Sequence, residues 1–231
     1  MKFLTLVFLI SAALVFPQFA AKGAAPEFDS ENLQYNVNWP SGLSLGEAQL
    51  SAQKTVAGWA FSFQLDASVP GFAVLDRFRS GASPELCSAS FDKEFAHGKR
   101  KSKEKITFDS SRNLATRQTI GGGKGEMPTP ACARDALAYL YHVRTELAQG
   151  RIPPAQPVFY GAPYQIRLEY AGTQKVRVND TMVEADRMIA HMKGPASEHT
   201  FEMFFARDAV RTPILVKVPL AMGSFSMELV R

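Results

Sequence analysis

Apolar residues in this chain recur at every second position, and that period constrains the fold more than any other feature. In "LQYNVNW", Leu33, Tyr35, Val37 and Trp39 fall on one side, and Gln34, Asn36 and Asn38 on the other. "WAFSFQLDASV" repeats the pattern with Trp59, Phe61, Phe63, Leu65 and Val69. "YQIRLEY" (Tyr164, Ile166, Leu168, Tyr170), "KVRVND" and "FSMEL" (Phe225, Met227, Leu229) follow it again. Side chains of an extended chain point alternately to opposite faces. Each stretch therefore predicts a strand with one wet face, as in an antiparallel sheet. Turn chemistry lies between them at Pro40-Ser41-Gly42, Pro70-Gly71, Ala171-Gly172, Asn179-Asp180 and Met222-Gly223. "EAQLSAQKTVAG" alternates at Ala48, Leu50 and Ala52, although a short helix is an open alternative there.

One segment departs from this period. "CARDALAYLYHVRTELAQG" spaces Ala136, Leu140, Val143 and Leu147 as a helix does, with Leu137 and Tyr141 widening the stripe. Asp135 stands at the start, where a carboxylate complements the helix dipole, Gly150 suits the end, and Pro153 and Pro154 stop any continuation. The expected architecture is mainly β: an antiparallel sheet packed on one α-helix. No repeat or linker divides the chain, so residues 24–231 are expected to form a single domain.

The first residues read as an address label. Lys2 precedes the apolar run "FLTLVFLISAALVF", which is too short to span a bilayer, and "AKGA" offers small residues for cleavage after Gly23. Residues 1–23 are thus expected to be a signal peptide, with an uncleaved anchor as the alternative. Its removal takes Lys2 and Lys22 and no acid, so the formal charge falls from +4 to +2. That imbalance is too small for nucleic-acid binding, which needs dense phosphate neutralisation. The protein is expected in the periplasm or secreted. There, Cys87 and Cys132, the two cysteines of the chain, read most simply as one disulfide, two buried free thiols being the alternative. Such a bond fastens the helix entrance to a strand.

Four motifs invite chemistry. Gly42-Leu43-Ser44-Leu45-Gly46 spells G-x-S-x-G, but a nucleophile elbow needs a strand-to-helix corner over a parallel sheet, and nothing here repeats strand–helix–strand units. Turn glycines are the better reading. "IGGGKGEMP" lacks the Ser or Thr that a phosphate loop places after its lysine, and reads as a flexible loop between a strand and the helix. "HGKRKSKEK", His97 to Lys105, is either a contact for anionic headgroups or glycan, or a solvated hairpin whose lysines discourage edge pairing. Asp135, Tyr139, His142 and Glu146 share a helix face, either an acid/base cluster or, more commonly, a solvent face. Arg144 is placed to pair with a strand carboxylate such as Asp109 or Asp208, which themselves read as turn residues. No two histidines have metal-ligand spacing, so neither metal nor cofactor is expected.

Taken in order, "YNVNWPSGLSLGEAQL", "ITFDSSRN", "CARDALAYLYHVR" and "FFARDAVRTPILVKVPLAMGSFSMEL" resemble the bacterial exported family of domain of unknown function 3108. The resemblance implies a strongly curved, half-barrel-like antiparallel sheet wrapped about a central helix, similar to the half-open barrels of periplasmic lipoprotein carriers. It implies no reaction. The functional expectation is a non-catalytic module that binds a lipid, an acyl chain or another envelope component, with peripheral membrane contact. The row Trp59, Phe61, Phe63 and Leu65 is the expected apolar contact. A structural or assembly partner of an envelope protein ranks next, and an envelope hydrolase using Ser44 or the Asp135–His142 face last.

Overall fold

The computed structural model describes residues 28, 30–69, 72–220 and 223–230. The expected signal peptide, the expected turn at Pro70-Gly71 and Met222 lie outside the described residues. Eight strands come first: β1 (Glu31–Asn38), β2 (Ser44–Thr55), β3 (Gly58–Val69), β4 (Phe72–Ala82), β5 (Ser88–His97), β6 (Arg100–Asp109), β7 (Leu114–Thr119) and β8 (Lys124–Pro128). The two-residue β9 (Arg134–Asp135) leads into α1 (Ala136–Ala148). Then follow β10 (Gln156–Phe159), β11 (Pro163–Val178), β12 (Thr181–Lys193), β13 (Glu198–Ala206), β14 (Pro213–Leu220) and β15 (Gly223–Leu229).

All of them join one curved, unclosed sheet in the order β8-β7-β6-β5-β4-β3-β2-β1-β15-β14-β13-β12-β11-β10-β9. Two meanders meet at its midline, where β1 and β15 pair antiparallel with Tyr35 opposite Leu229. Because neighbours alternate in direction, the β1–β2, β3–β4, β5–β6, β7–β8, β10–β11, β12–β13 and β14–β15 connections share one rim. The others lie on the opposite rim. The mainly β expectation holds, and β2 resolves the open alternative as a strand.

Alternation decides which side chains enter the shell. In β1, Tyr35 and Val37 are buried while Gln34 and Asn36 face water, and β2 buries Ala48, Leu50 and Ala52. The expected turn at Ala171-Gly172 is instead a bulge: β11 runs through it, with the register against β12 shifting between Tyr170 and Thr173. A bulge absorbs the extra residues and tightens the local twist, which suits a long strand in a curved sheet. The expected turn at Asn179-Asp180 is the β11–β12 hairpin, with Asn179 in the left-handed region.

The helix is central and has no fully exposed residue, so the expected solvent face does not exist. Its fixings account for its place. Asp135 is wholly buried and caps the N-terminus, its Oδ1 accepting from the amides of Leu137 (2.8 Å) and Ala138 (3.1 Å). Its Oδ2 accepts from the hydroxyls of Ser80 and Ser88, each at 2.6 Å, so one carboxylate bolts the helix to β4 and β5. Cys87 and Cys132 form the disulfide beside it, with Cα atoms 4.8 Å apart and a sequence separation of 45. Closing such a loop contributes about 4 kcal/mol in the chain-entropy account.

Further along, Arg144 is fully buried and pairs with Glu31, not with Asp109 or Asp208. Its Nε donates to the carbonyl of Val210 at 3.0 Å, and its plane stands 4.8 Å from the rings of both Phe28 and Tyr141. Tyr141 also donates to Glu31 at 2.7 Å. Glu31 opens β1 and is reachable by a buried guanidinium; the two aspartates are committed to their turns. Asp109 Oδ1 accepts from Ser111 and Arg112, and Asp208 Oδ1 from the amide of Thr212. Through Glu31, Val210 and the Trp59 end of β3, the helix sits against part of the opposite rim.

Candidate ligand cavity

Between the helix and the strands lies an apolar cavity of about 290 Å³. The helix supplies Ala136, Leu137, Tyr139, Leu140 and Val143 as its floor. The β11–β15 strands supply an aliphatic wall that includes Met192, Met203 and Met227. Tyr160, in the β10–β11 connection, and Tyr164, at the head of β11, carry the lining to the first rim. Among the described residues the only ionisable groups in the lining are tyrosine phenols, and burial pushes those of Tyr35, Tyr139 and Tyr160 well above their ordinary value, so all three stay neutral. Such a space rejects charge and accepts hydrocarbon. Its volume matches the low end, about 300 Å³, of small-molecule sites.

The four expected contact residues divide between two environments. Phe63 lines the cavity and stacks on Phe78 at 5.6 Å. Trp59 and Phe61 belong to the packed aromatic seat of the helix: they stack on one another at 6.0 Å, and Phe61 stacks on Tyr141 at 4.2 Å. Leu65 is half-buried against the same core. Sequence reasoning missed the cavity wall from β11–β15. "YQIRLEY" and "FSMEL" were legible as strands there, but their partners across the hollow were not.

The sequence motifs resolve into backbone features. Gly42 lies in the β1–β2 turn, its amide bonded to the carbonyl of Trp39 at 2.8 Å, and Ser44 is exposed at the start of β2, opposite Asn38. A side chain at Gly46 would collide with the carbonyl of Asp66 on β3. A hairpin, not a strand-to-helix corner, therefore holds G-x-S-x-G. The segment 120–128 is likewise no loop leading to a helix but the β7–β8 hairpin, because Lys124–Pro128 pairs with Leu114–Gln118.

On the helix, Asp135 is consumed by capping. Glu146 lies below the usual carboxylate range because Arg151 donates to both of its oxygens, each at 2.8 Å. His142 is pushed down to about 4, first by burial and then by the nearby Arg134 cation. Asp135 and Glu146 are thus committed to structural partners, and His142 meets Tyr139 ring to ring at 6.3 Å. Among the described residues, no cluster of three or more His, Cys, Asp or Glu is arranged to hold a metal ion.

A half-closed antiparallel shell around one helix, hollow on its aliphatic side, defines a β-barrel-like protein. Its backbone superposes on a β-barrel-like protein of domain of unknown function DUF1849 from Brucella abortus, with a TM-score of 0.66 and 6% identity, over 90% of this chain and 98% of that one. At that identity the likeness is one of fold. The chain belongs to the family described as protein of unknown function (DUF3108), whose profile matches residues 34–230. Weaker overlays, both with a TM-score of 0.34, are with a lipoprotein from Parabacteroides distasonis (6% identity; 88% and 95% covered) and an exported protein with a YmcC-like fold from Bacteroides fragilis (10% identity; 89% and 96% covered). No curated protein matches the chain.

Proposed function

We propose that this chain is a non-catalytic exported module that holds one apolar chain, of a lipid or an acylated molecule, between α1 and β11–β15. The observation that carries this reading is the cavity of about 290 Å³ with no carboxylate, amine or imidazole in its lining among the described residues. Burial of hydrocarbon is worth about 25 cal/mol per Å² of apolar surface removed from water, so a chain threaded there needs no polar anchor to bind. The volume favours a single chain over a multiply acylated lipid. The Cys87–Cys132 disulfide and the apolar N-terminal run support an oxidising compartment outside the cytosol.

Native mass spectrometry after gentle purification, with uptake of a fluorescent fatty acid, tests the proposal. Wild type is expected to carry or take up the probe. Ala190→Trp, which places an indole in the cavity, is expected to lose uptake by at least about tenfold while keeping a cooperative melt. Absence of both a co-purified ligand and uptake by wild type overturns the reading. It would leave an envelope assembly partner as the stronger alternative.

A further inference from the structure

The outer face of β4–β6 and the adjoining rim carry a charge pattern that the cavity does not explain. On that face Arg77, Arg79, Lys101, Lys103 and Lys105 are exposed, against the two acids Asp92 and Glu94. The third acid in this stretch of β5–β6, Glu104, is turned into the shell, 3.3 Å from the buried Lys93. Alternation thus buries Glu104 together with Lys93 as a pair and leaves the lysines of β6 facing out. The β5–β6 tip adds Lys99 and Arg100, both exposed.

Apolar side chains sit among these cations at the rim. Phe72 is 45% exposed and lies over Gly98 in the β5–β6 tip, where a Cβ would meet its ring at 2.8 Å. The amide of Gly98 bonds the carbonyl of Ala73 at 2.8 Å, so the two hairpins move together. Ile120, 64% exposed, opens the β7–β8 tip and is tied to the carbonyl of Lys103 at 2.9 Å. With Leu75 and Phe95 it lines a shallow depression walled by Lys101 and Lys103. Lys103 pairs with Glu94 at 3.2 Å, much as Arg211 and Arg207 pair with Asp186 on the opposite rim at 2.7 and 3.8 Å; what marks the first rim is the cluster of Lys99, Arg100 and Lys101 beside Phe72 and Ile120.

We propose that this rim docks on an anionic lipid surface, with Phe72 and Ile120 entering the headgroup layer and Lys99, Arg100 and Lys101 binding lipid phosphates. Cations near a charged leaflet add attraction that salt screens, and inserted apolar side chains supply the part that salt does not screen. An acidic polymer would be held by the lysines alone, so the exposed Phe72 and Ile120 favour the lipid. The lining of the cavity extends to the same rim at Tyr160 and Tyr164. The docking itself does not depend on the cavity's being filled.

Flotation of the full mature chain with vesicles tests it. Vesicles of phosphatidylcholine containing phosphatidylglycerol are expected to carry the protein, and pure phosphatidylcholine vesicles are not. The triple variant Lys99→Glu, Arg100→Glu, Lys101→Glu is expected to lose more than about tenfold in partitioning. Phe72→Ser with Ile120→Ser is expected to lose severalfold and to make the residual binding more salt-sensitive. Ala190→Trp, which blocks the cavity, is expected to float as wild type does, so failure of docking and failure of ligand binding are told apart. No flotation of wild type on anionic vesicles, or flotation unaffected by the charge reversals, overturns the proposal. So does equal binding to soluble heparin that ignores Phe72 and Ile120, which would assign the face to an acidic polymer.

Discussion

The two sides of the shell hold the same helix in different ways. On the β1–β5 side, rings do the holding: Phe28 meets Tyr141 edge-on at 5.6 Å, Phe61 stacks on Tyr141 at 4.2 Å, and the chain of contacts runs on through Trp59. On the β11–β15 side the facing residues are largely aliphatic, with Met188, Met203 and Met192 prominent, and a hollow remains. Flat rings have few rotamers and fixed contact geometry, so they lock an orientation. Methionine is unbranched and polarisable, and adapts to whatever fills the gap. The difference suggests a division of labour in which one wall sets the helix and the other conforms to an occupant.

The largest effect that breaks this contrast is expected from truncating the rigid side. Phe61→Ala should cost about 3–5 kcal/mol, read by chemical denaturation, whereas Met203→Ala, beside an existing void, should cost nearer 2 kcal/mol. If the two losses are equal, the sides are equivalent and the contrast fails. Next comes the clamp on the rigid side. The double variant Cys87→Ser, Cys132→Ser should lose about 2–4 kcal/mol, and its midpoint should no longer respond to reductant.

The smallest effect concerns the helix itself. His142 titrates at about 4 in the fold against 6.5 ordinarily, so the unfolded chain binds the extra proton between those values. Stability is therefore present above pH 6.5 and is lost as pH falls toward 4. Allowing for partial exposure, the loss is about 1 kcal/mol. His142→Gln should flatten that limb of the stability–pH curve; an unchanged slope would mean that the imidazole is not desolvated.

Strands were readable wherever one face is wet, because alternation is a local signal: Tyr35 and Val37, or Ile166 and Leu168, declare themselves within a few residues. The helix and its cap at Asp135 were readable for the same reason. What could not be read depends on distant partners. Glu31 lies 113 residues from Arg144, and nothing local marks it as the buried mate. Ala171-Gly172 has the composition of a turn, and only pairing with β12 makes it a bulge. The aromatic row of β3 was legible as an apolar face, but whether a ring packs on a helix or borders a void is set by the opposite wall. Phe63 and Phe61, two residues apart on one face, meet different fates for that reason alone.

The pairing of β1 with β15 has a consequence for how the molecule is made. The earliest strand to leave the ribosome finds its second neighbour only when the last one arrives, since Tyr35 lies opposite Leu229. Hairpins on either flank can zip from local turns, but the midline closes by a contact spanning nearly the whole polypeptide, the slowest kind to form. Until then both β1 and β14 present raw edges, and every moment of that delay leaves them open to pairing with a second chain.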